Sequence, residues 1–249
     1  MTGGIRWLTP AWPAPAHVRV LSTLRGGGAS PGAYASLNLA AHVGDDPAMV
    51  DGNRRRLCDA ASLPQEPLWL DQVHGTQVVV NHGLQATPQA DAAVTIGPGH
   101  VCAVLTADCL PVVLVDRAGT RIGVAHAGGR GLAAGVLEAT VAALGRNPRD
   151  LLAWLGPAIG PAAFEVGAEV REAFLLRTAA STSCFVANDC GRYQADLYGL
   201  ARRVLADTGV ADVHGGGWCT ATDRARFFSY RRDGATGRMA TLAWLEPGP

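Results

Sequence analysis

Residues 101–144 read VCAVLTADCLPVVLVDRAGTRIGVAHAGGRGLAAGVLEATVAAL, and this stretch decides the fold. Its first part carries three nearly continuous apolar runs, at 101–107, 111–116 and 121–125. A strand covered on one face alternates apolar and polar residues, whereas a strand covered on both does not. The three runs therefore predict a buried central sheet. Residues 132–144 change to helical spacing, with one apolar face and a glycine stop at Gly145.

The flanks extend the same pattern. Residues 18–24 alternate in strand fashion and run into Gly26-Gly27-Gly28, read as a flexible loop. Residues 47–61 have helical character, with Asp45 or Asp46 available as a cap and Pro47 at the start. Residues 67–73 and 77–80 read as strands on either side of His74. Helices are expected at 166–176 and 196–207, the second capped by Asp196 and ended by Gly209. Residues 227–230 and 239–244 look like a hairpin closed by 233–237. There is no solenoid repeat, low-complexity tract or clear linker, so residues 1–249 are expected to form one α+β domain of mixed sheet covered by helices.

Composition excludes several function classes. Lysine and arginine together match the acidic residues in number, and no basic run exceeds Arg54-Arg55-Arg56. An extended nucleic-acid or anionic-membrane surface needs accumulated positive charge, so neither partner is expected. All 21 basic residues are arginine. Without lysine there is no Schiff base for pyridoxal phosphate or a carbonyl substrate, and no Walker-A contact to nucleotide phosphates. Arginine alone favours planar, bidentate anion recognition. Residues 1–20 are broken by Pro10, Pro13 and Pro15 and read as neither signal peptide nor membrane span. A cytoplasmic location follows as an expectation, with Cys58, Cys102, Cys109, Cys184, Cys190 and Cys219 as free thiols. No heptad or exposed apolar helix announces an interface, so the oligomeric state stays open.

Three residues carry the chemistry. His74, Cys109 and His126 each follow an apolar run and precede turn residues. Such strand ends project side chains out of a sheet. Two neutral imidazoles and a thiolate can hold a borderline-soft divalent cation and leave a fourth position open. Separations of 35 and 17 residues carry little information by themselves. Taken singly, the cysteine reads as a small buried hydrophobe and each histidine as an ordinary structural group. The shared strand-end pattern is what favours a site. A Cys109–His126 thiolate–imidazolium dyad is the rival reading; His74 favours metal, because a dyad needs no second histidine.

Two glycine motifs flank these residues. Gly128-Gly129-Arg130-Gly131 joins an apolar strand to a helix, where backbone N–H groups and the Arg130 fork could grip an anion. Gly28-Ala29-Ser30-Pro31-Gly32 matches the serine-hydrolase elbow only superficially. The residue after that serine must donate a backbone N–H to the oxyanion, and Pro31 has none.

Read together, these segments resemble the laccase-domain family, long labelled multicopper polyphenol oxidases and now described as purine nucleoside phosphorylases. The likeness runs through Ser36-Leu37-Asn38-Leu39, His42-Val43-Gly44-Asp45-Asp46, Asn53-Arg54, Gln72-Val73-His74-Gly75, Thr106-Ala107-Asp108-Cys109-Leu110-Pro111 and His126-Ala127-Gly128. It continues in Leu155-Gly156-Pro157-Ala158-Ile159-Gly160, Cys219-Thr220 and Phe227-Phe228-Ser229-Tyr230-Arg231-Arg232. The resemblance implies layered β-sheets with helices outside and a zinc site at His74, Cys109 and His126. It implies phosphorolysis of adenosine, inosine and methylthioadenosine, with adenosine deamination as a further activity. Arg130, with Arg25, is the candidate phosphate clamp, and Asn38 and His42 are candidate substrate contacts. The older family label implies copper and polyphenol oxidation, but a multicopper site needs more histidines than this arrangement offers. The sequence departs from the family at Gly129, where members usually carry tryptophan. Two other readings are a cysteine-dependent amide hydrolase acting on a cell-wall peptide linkage and a binding module ordered by metal.

Overall fold

The computed structural model describes residues 4–247. In chain order the strands are β1 (Trp7–Leu8), β2 (Val18–Thr23), β3 (Val78–Val80), β4 (Ala92–Ile96), β5 (Cys102–Thr106), β6 (Leu110–Asp116) and β7 (Arg121–Ala127). They continue as β8 (Leu151–Leu155), β9 (Glu165–Val166), β10 (Phe185–Ala187), β11 (Tyr193–Ala195), β12 (Asp212–Gly215) and β13 (Met239–Leu245). The helices are α1 (Pro47–Ala61), α2 (Gly129–Ala134), α3 (Val136–Leu144), α4 (Ala168–Leu175), α5 (Leu197–Asp207) and α6 (Tyr230–Asp233).

Two sheets stack and helices cover their outer faces. A six-stranded mixed sheet runs β12-β8-β6-β7-β4-β3, and a four-stranded antiparallel sheet runs β1-β2-β13-β5. Val18, Val20 and Val104 of the smaller sheet pack against Val113, Val115, Ile122, Val124, Leu152 and Trp154 of the larger. On the far side of the larger sheet, Leu114 and Val112 meet Val136, Leu137 and Val141 of α3 and Leu200 and Val204 of α5. On the far side of the smaller one, Leu21, Leu105 and Leu242 meet Leu57 of α1, with Leu37, Leu39 and Trp69. A third sheet, β10-β11-β9, packs beside α4 and α5. The fold is the layered α+β domain expected. None of the described helices is long and apolar enough to cross a membrane, and all six cysteines are free.

Helix α1 takes the predicted bounds, with the Asp46 side chain accepting the Ala48 N–H and Pro47 in its first turn. Five other expectations change. The run at 101–107 does not join 111–116 and 121–125 in one sheet: β5 pairs with β13, while β6 and β7 pair with each other. The chain crosses between layers at Asp108, whose φ of +93° turns it there. Continuous apolarity reports cover on both faces, which each layer of a stack possesses, so it cannot tell one sheet from two. The helix expected at 132–144 is broken at Gly135, with φ +111°, into α2 and α3. Residues 67–73 make only isolated bridges, Leu68 to Cys102 and Asp71 to Gln89. Residues 227–230 form no hairpin with β13: Ser229 caps α6, and β13 lies between β2 and β5. The Gly26–28 loop is pinned, since the Gly28 N–H meets Ser36 Oγ at 3.1 Å and the Ala29 N–H meets Asn53 Oδ1 at 2.9 Å.

Candidate metal centre

His74, Cys109 and His126 converge. Their ligand atoms all lie within 4.8 Å of one another, with Cys109 Sγ 3.9 Å from His74 Nε2. The two imidazole centroids are 4.7 Å apart, edge to face. Three different elements deliver them. Cys109 follows the crossing at Asp108 and immediately precedes β6. His126 lies on β7 opposite Pro111 of β6, so antiparallel register brings it beside Cys109. His74 sits in a turn with φ +61°, a left-handed conformation that a non-glycine residue adopts only when its surroundings hold it there.

Asp91 supplies that hold. Its fully buried carboxylate accepts the backbone N–H groups of Val73 (3.2 Å), His74 (2.9 Å) and Gly75 (2.6 Å). The same carboxylate lies 2.8 Å from His126 Nδ1. Burial pushes the Asp91 carboxyl up, but His126 and the Gly75 and His74 N–H groups reverse this and hold it below the usual range. An ionised carboxylate only accepts, so Nδ1 of His126 carries the proton and Nε2 is left for the site. One side chain thus fixes a ligand's tautomer and another ligand's backbone, the supporting shell that metal-binding histidines use.

Asp108 plays the complementary part for Cys109. It accepts Thr220 Oγ1–H (2.6 Å), Ser229 Oγ–H (3.0 Å) and the Arg231 N–H (2.7 Å). Its own carbonyl accepts the Ile159 N–H at 2.9 Å. Segments far apart in sequence are therefore tied to the residue before the thiol. Gln72 docks the histidine turn onto β5, accepting the Leu105 N–H at 2.7 Å and donating to the Leu105 carbonyl at 3.0 Å. Gly128 is needed for space: a Cβ there would lie 2.6 Å from Cys109 Sγ and 3.4 Å from His74 Cδ2.

The donor set fits a cation. Zinc bonded to two imidazoles and a thiolate separates the ligand atoms by roughly 3.5 Å in a tetrahedron, close to the Cys109–His74 separation. Burial raises the Cys109 thiol pKa, and His126 and His74 outweigh it, bringing the thiol down to about 6. Burial lowers the His126 pKa, but Cys109 and Asp91 push it up to about 9. The site favours thiolate, the form that binds metal.

A cavity of about 330 Å³ opens over the three donors. His42, Gln72, Arg130, Tyr230 and Arg238 line it, together with Thr106. Arg130 and His42, two of the residues singled out in the sequence, are thus placed at the cavity. Arg25 does not line it: its guanidinium donates to the Ala35 carbonyl (2.9 and 3.1 Å) and the Arg224 carbonyl (3.2 Å), over the Phe228 ring. Asn38 is fully buried and also stands back, holding the Arg238 N–H on its Oδ1 at 3.0 Å. Ser30, from the rejected elbow, donates to Asp45 at 2.6 Å in the same buried network. Beside Gly129, an added Cβ would meet Phe164 Cζ at 3.4 Å, so a phenylalanine ring flanks this position.

Sequence reasoning gave no role to Asp91, Asp108, Thr106 or Arg238. For Asp91 a signal existed: a carboxylate between Ala90 and Ala92, at the head of an apolar run, must find partners when buried.

A family model described as multi-copper polyphenol oxidoreductase laccase matches residues 19–246. A Pseudomonas aeruginosa protein named purine nucleoside phosphorylase PA4543 is 56% identical over 245 residues, covering 96% of this chain and 98% of that one. Purine nucleoside phosphorylase YfiH of Escherichia coli is 53% identical over 239 residues, covering 96% and 98%. The crystal structure of Neisseria meningitidis protein NMB0706 superposes with a TM-score of 0.94 at 51% identity, covering 97% and 99%. With a model matched over nearly its whole length and relatives more than half identical, the chain belongs to the laccase-domain family whose members here carry the name purine nucleoside phosphorylase.

Proposed function

We propose that the protein is a zinc-dependent, cytoplasmic purine nucleoside phosphorylase acting on adenosine, inosine and methylthioadenosine, with adenosine deamination as a second activity of the same centre. The observation that carries this reading is the convergence of His74, Cys109 and His126 under one cavity, with Asp91 orienting two of them. The relatives' names supply the substrate class.

His74 Nε2, Cys109 Sγ and His126 Nε2 would hold the ion. When bound, zinc supplies Lewis acidity and lowers the pKa of water in its open position. The remaining chemistry rests on the chain's own groups. Arg130 is exposed at the cavity and makes no ion pair among the described residues, so its fork is available to an anion. In phosphorolysis a phosphate oxygen bonds to ribose C1′ as the C1′–N9 bond breaks, and the electron pair leaves with the purine, which takes up a proton. Arginine holds the nucleophile in line and offsets its charge. In deamination water supplies the oxygen to purine C6 and ammonia leaves. Copper suits the same donors, but the described residues present a single three-donor group, too few for a multicopper oxidase.

One observation favours a second reading. A thiol lowered to about 6 beside an imidazole raised to about 9 is the resting state of a nucleophilic dyad. It would serve a cysteine-dependent hydrolase of an amide, such as a cell-wall peptide linkage. Metal analysis, with product analysis from adenosine and inosine in the presence and absence of phosphate, separates the two. Ribose 1-phosphate formed only by metal-loaded protein supports the phosphorylase. Full activity after metal removal, abolished by thiol alkylation, supports the hydrolase instead.

A further inference from the structure

With Arg25 outside the cavity, the second guanidinium at the site is Arg238. It is half-buried, and burial lowers its pKa against the attraction of Cys109 and Asp108. No carboxylate among the described residues pairs with it. Its Nη1 donates to the carbonyls of Thr236 (2.8 Å) and Gly237 (3.1 Å), which fixes the fork without neutralising it. Its backbone is clamped as firmly. Asn38 Oδ1 accepts the Arg238 N–H, and a Cβ on Gly237 would meet Phe228 Cζ at 2.8 Å and Asn38 Cβ at 2.9 Å. Asn38 is held in turn by Asp45, which also accepts Ser30 Oγ–H. A buried polar network thus ends on one cationic side chain at the cavity.

Thr106 is the second, independent observation. Its side chain is 1% exposed, lines the cavity, and its Oγ1 has no hydrogen-bond partner among the described residues. Leaving a buried hydroxyl unpaired is unfavourable, so its place at the cavity needs a reason. Sheet register sets Met239 opposite Thr106, bringing Arg238 to the same strand end. A fixed, uncompensated guanidinium beside a vacant hydroxyl donor matches a tetrahedral oxyanion better than a neutral sugar or base.

We infer that Arg238 and the Thr106 hydroxyl form an anion-binding corner of the cavity that holds the phosphate co-substrate; this rests on the phosphorolysis reading above. Asn38 is the positioning residue for that corner, which gives the Asn38 of the sequence reading an indirect role.

The test measures inosine phosphorolysis by metal-loaded protein with phosphate varied, in wild type, Arg238→Met, Arg238→Lys and Thr106→Val. Loss of charge-assisted hydrogen bonds to a bound anion should raise the phosphate KM about ten- to hundredfold in Arg238→Met. Arg238→Lys should recover part of this, and Thr106→Val should raise the phosphate KM several-fold while the inosine KM stays within about twofold. Thr106→Val should melt no lower than wild type, because it removes an unsatisfied hydroxyl. A phosphate KM unchanged within about twofold in both Arg238→Met and Thr106→Val overturns the inference. If wild type shows no phosphate-dependent turnover, the phosphorolysis reading falls separately, and binding of inorganic phosphate, followed by ³¹P line broadening, decides the corner. Binding lost in Arg238→Met with metal content retained supports it; equal binding in both proteins, or none in wild type, overturns it.

Discussion

The two ends of the β6–β7 hairpin are built from the same part and do different work. At the far end the Asp116 carboxylate accepts the Thr120 N–H and Oγ1–H, both at 2.6 Å, and the Arg121 N–H at 2.9 Å. All its hydrogen-bond donors lie within five residues, and the half-exposed Arg146 adds an ion pair at 3.3 Å from further along the chain. At the near end, beside Cys109 and His126, Asp91 and Asp108 also cradle N–H and O–H groups. Their donors are 16 to 35 residues away for Asp91 and 112 to 123 for Asp108. A turn closed by its neighbours forms wherever the chain passes. A centre closed by distant segments exists only when the whole domain has folded, so donor geometry and global stability are coupled at one end and not at the other.

Removing the thiol breaks the near end outright. Cys109→Ala leaves two imidazoles to hold the ion, and zinc content should fall to background with nucleoside turnover reduced more than about 10³-fold. Metal analysis and steady-state kinetics check it, and undiminished zinc and turnover would sink the metal reading. Next comes the supporting carboxylate. Asp91→Asn offers one acceptor oxygen where four donors converge, and frees the His126 tautomer. Zinc affinity should drop about 10- to 100-fold, read by chelator competition, with His126 nitrogen shifts reporting the lost tautomer preference. Equal loss in a variant of Asp116 would erase the distinction between the ends.

How much of this was legible follows the same division. Local signals transferred: Asp46 and Pro47 start α1, and Asp196 caps α5 with its side chain on the Gly199 N–H. His74, Cys109 and His126 come together, although the segment before His74 is no strand. Pairing choices did not transfer. Whether β5 joins β6 or β13 depends on the chain crossing layers at Asp108, and nothing within that run encodes it. The Phe227–Phe228 pair is apolar enough for a strand, yet both rings are buried against Leu24, Ala107 and Met239 beside a capped turn. The same limit hid the supporting residues. An aspartate that accepts hydrogen bonds across 35 or 123 residues looks in sequence like any other aspartate. Arg25 and Arg238 were likewise indistinguishable until their acceptors were visible.

A milder change sharpens the comparison without touching a charge. Gly128→Ala puts a methyl group into contact with Cys109 Sγ and His74 Cδ2. Overpacking of this kind costs about 1–3 kcal/mol, and here it should displace the thiol from the imidazoles. A lowered melting temperature together with about tenfold weaker zinc binding is expected. Gly119, in the far turn, has φ +66°, and alanine there should affect melting only.

The smallest effect is expected at the far turn itself and depends on pH. Burial raises the Asp116 carboxyl, and Thr120, Arg121 and Arg146 outweigh it, so its folded pKa lies below the ordinary value. A carboxyl with a depressed folded pKa stabilises the fold above its unfolded pKa, near 3.9, and loses that contribution as pH falls through the folded value. Asp116→Asn removes the charge at every pH. It should destabilise by about 1–3 kcal/mol at neutral pH, and the gap from wild type should close in acid, below about pH 4. Denaturant titrations at neutral and acid pH measure the gap, and a gap that widens in acid would reverse the assigned sign. Zinc affinity should be unchanged throughout, because every hydrogen-bond donor to Asp116 belongs to its own turn. A variant that lost metal along with stability would show the two ends of the hairpin to be one cooperative unit.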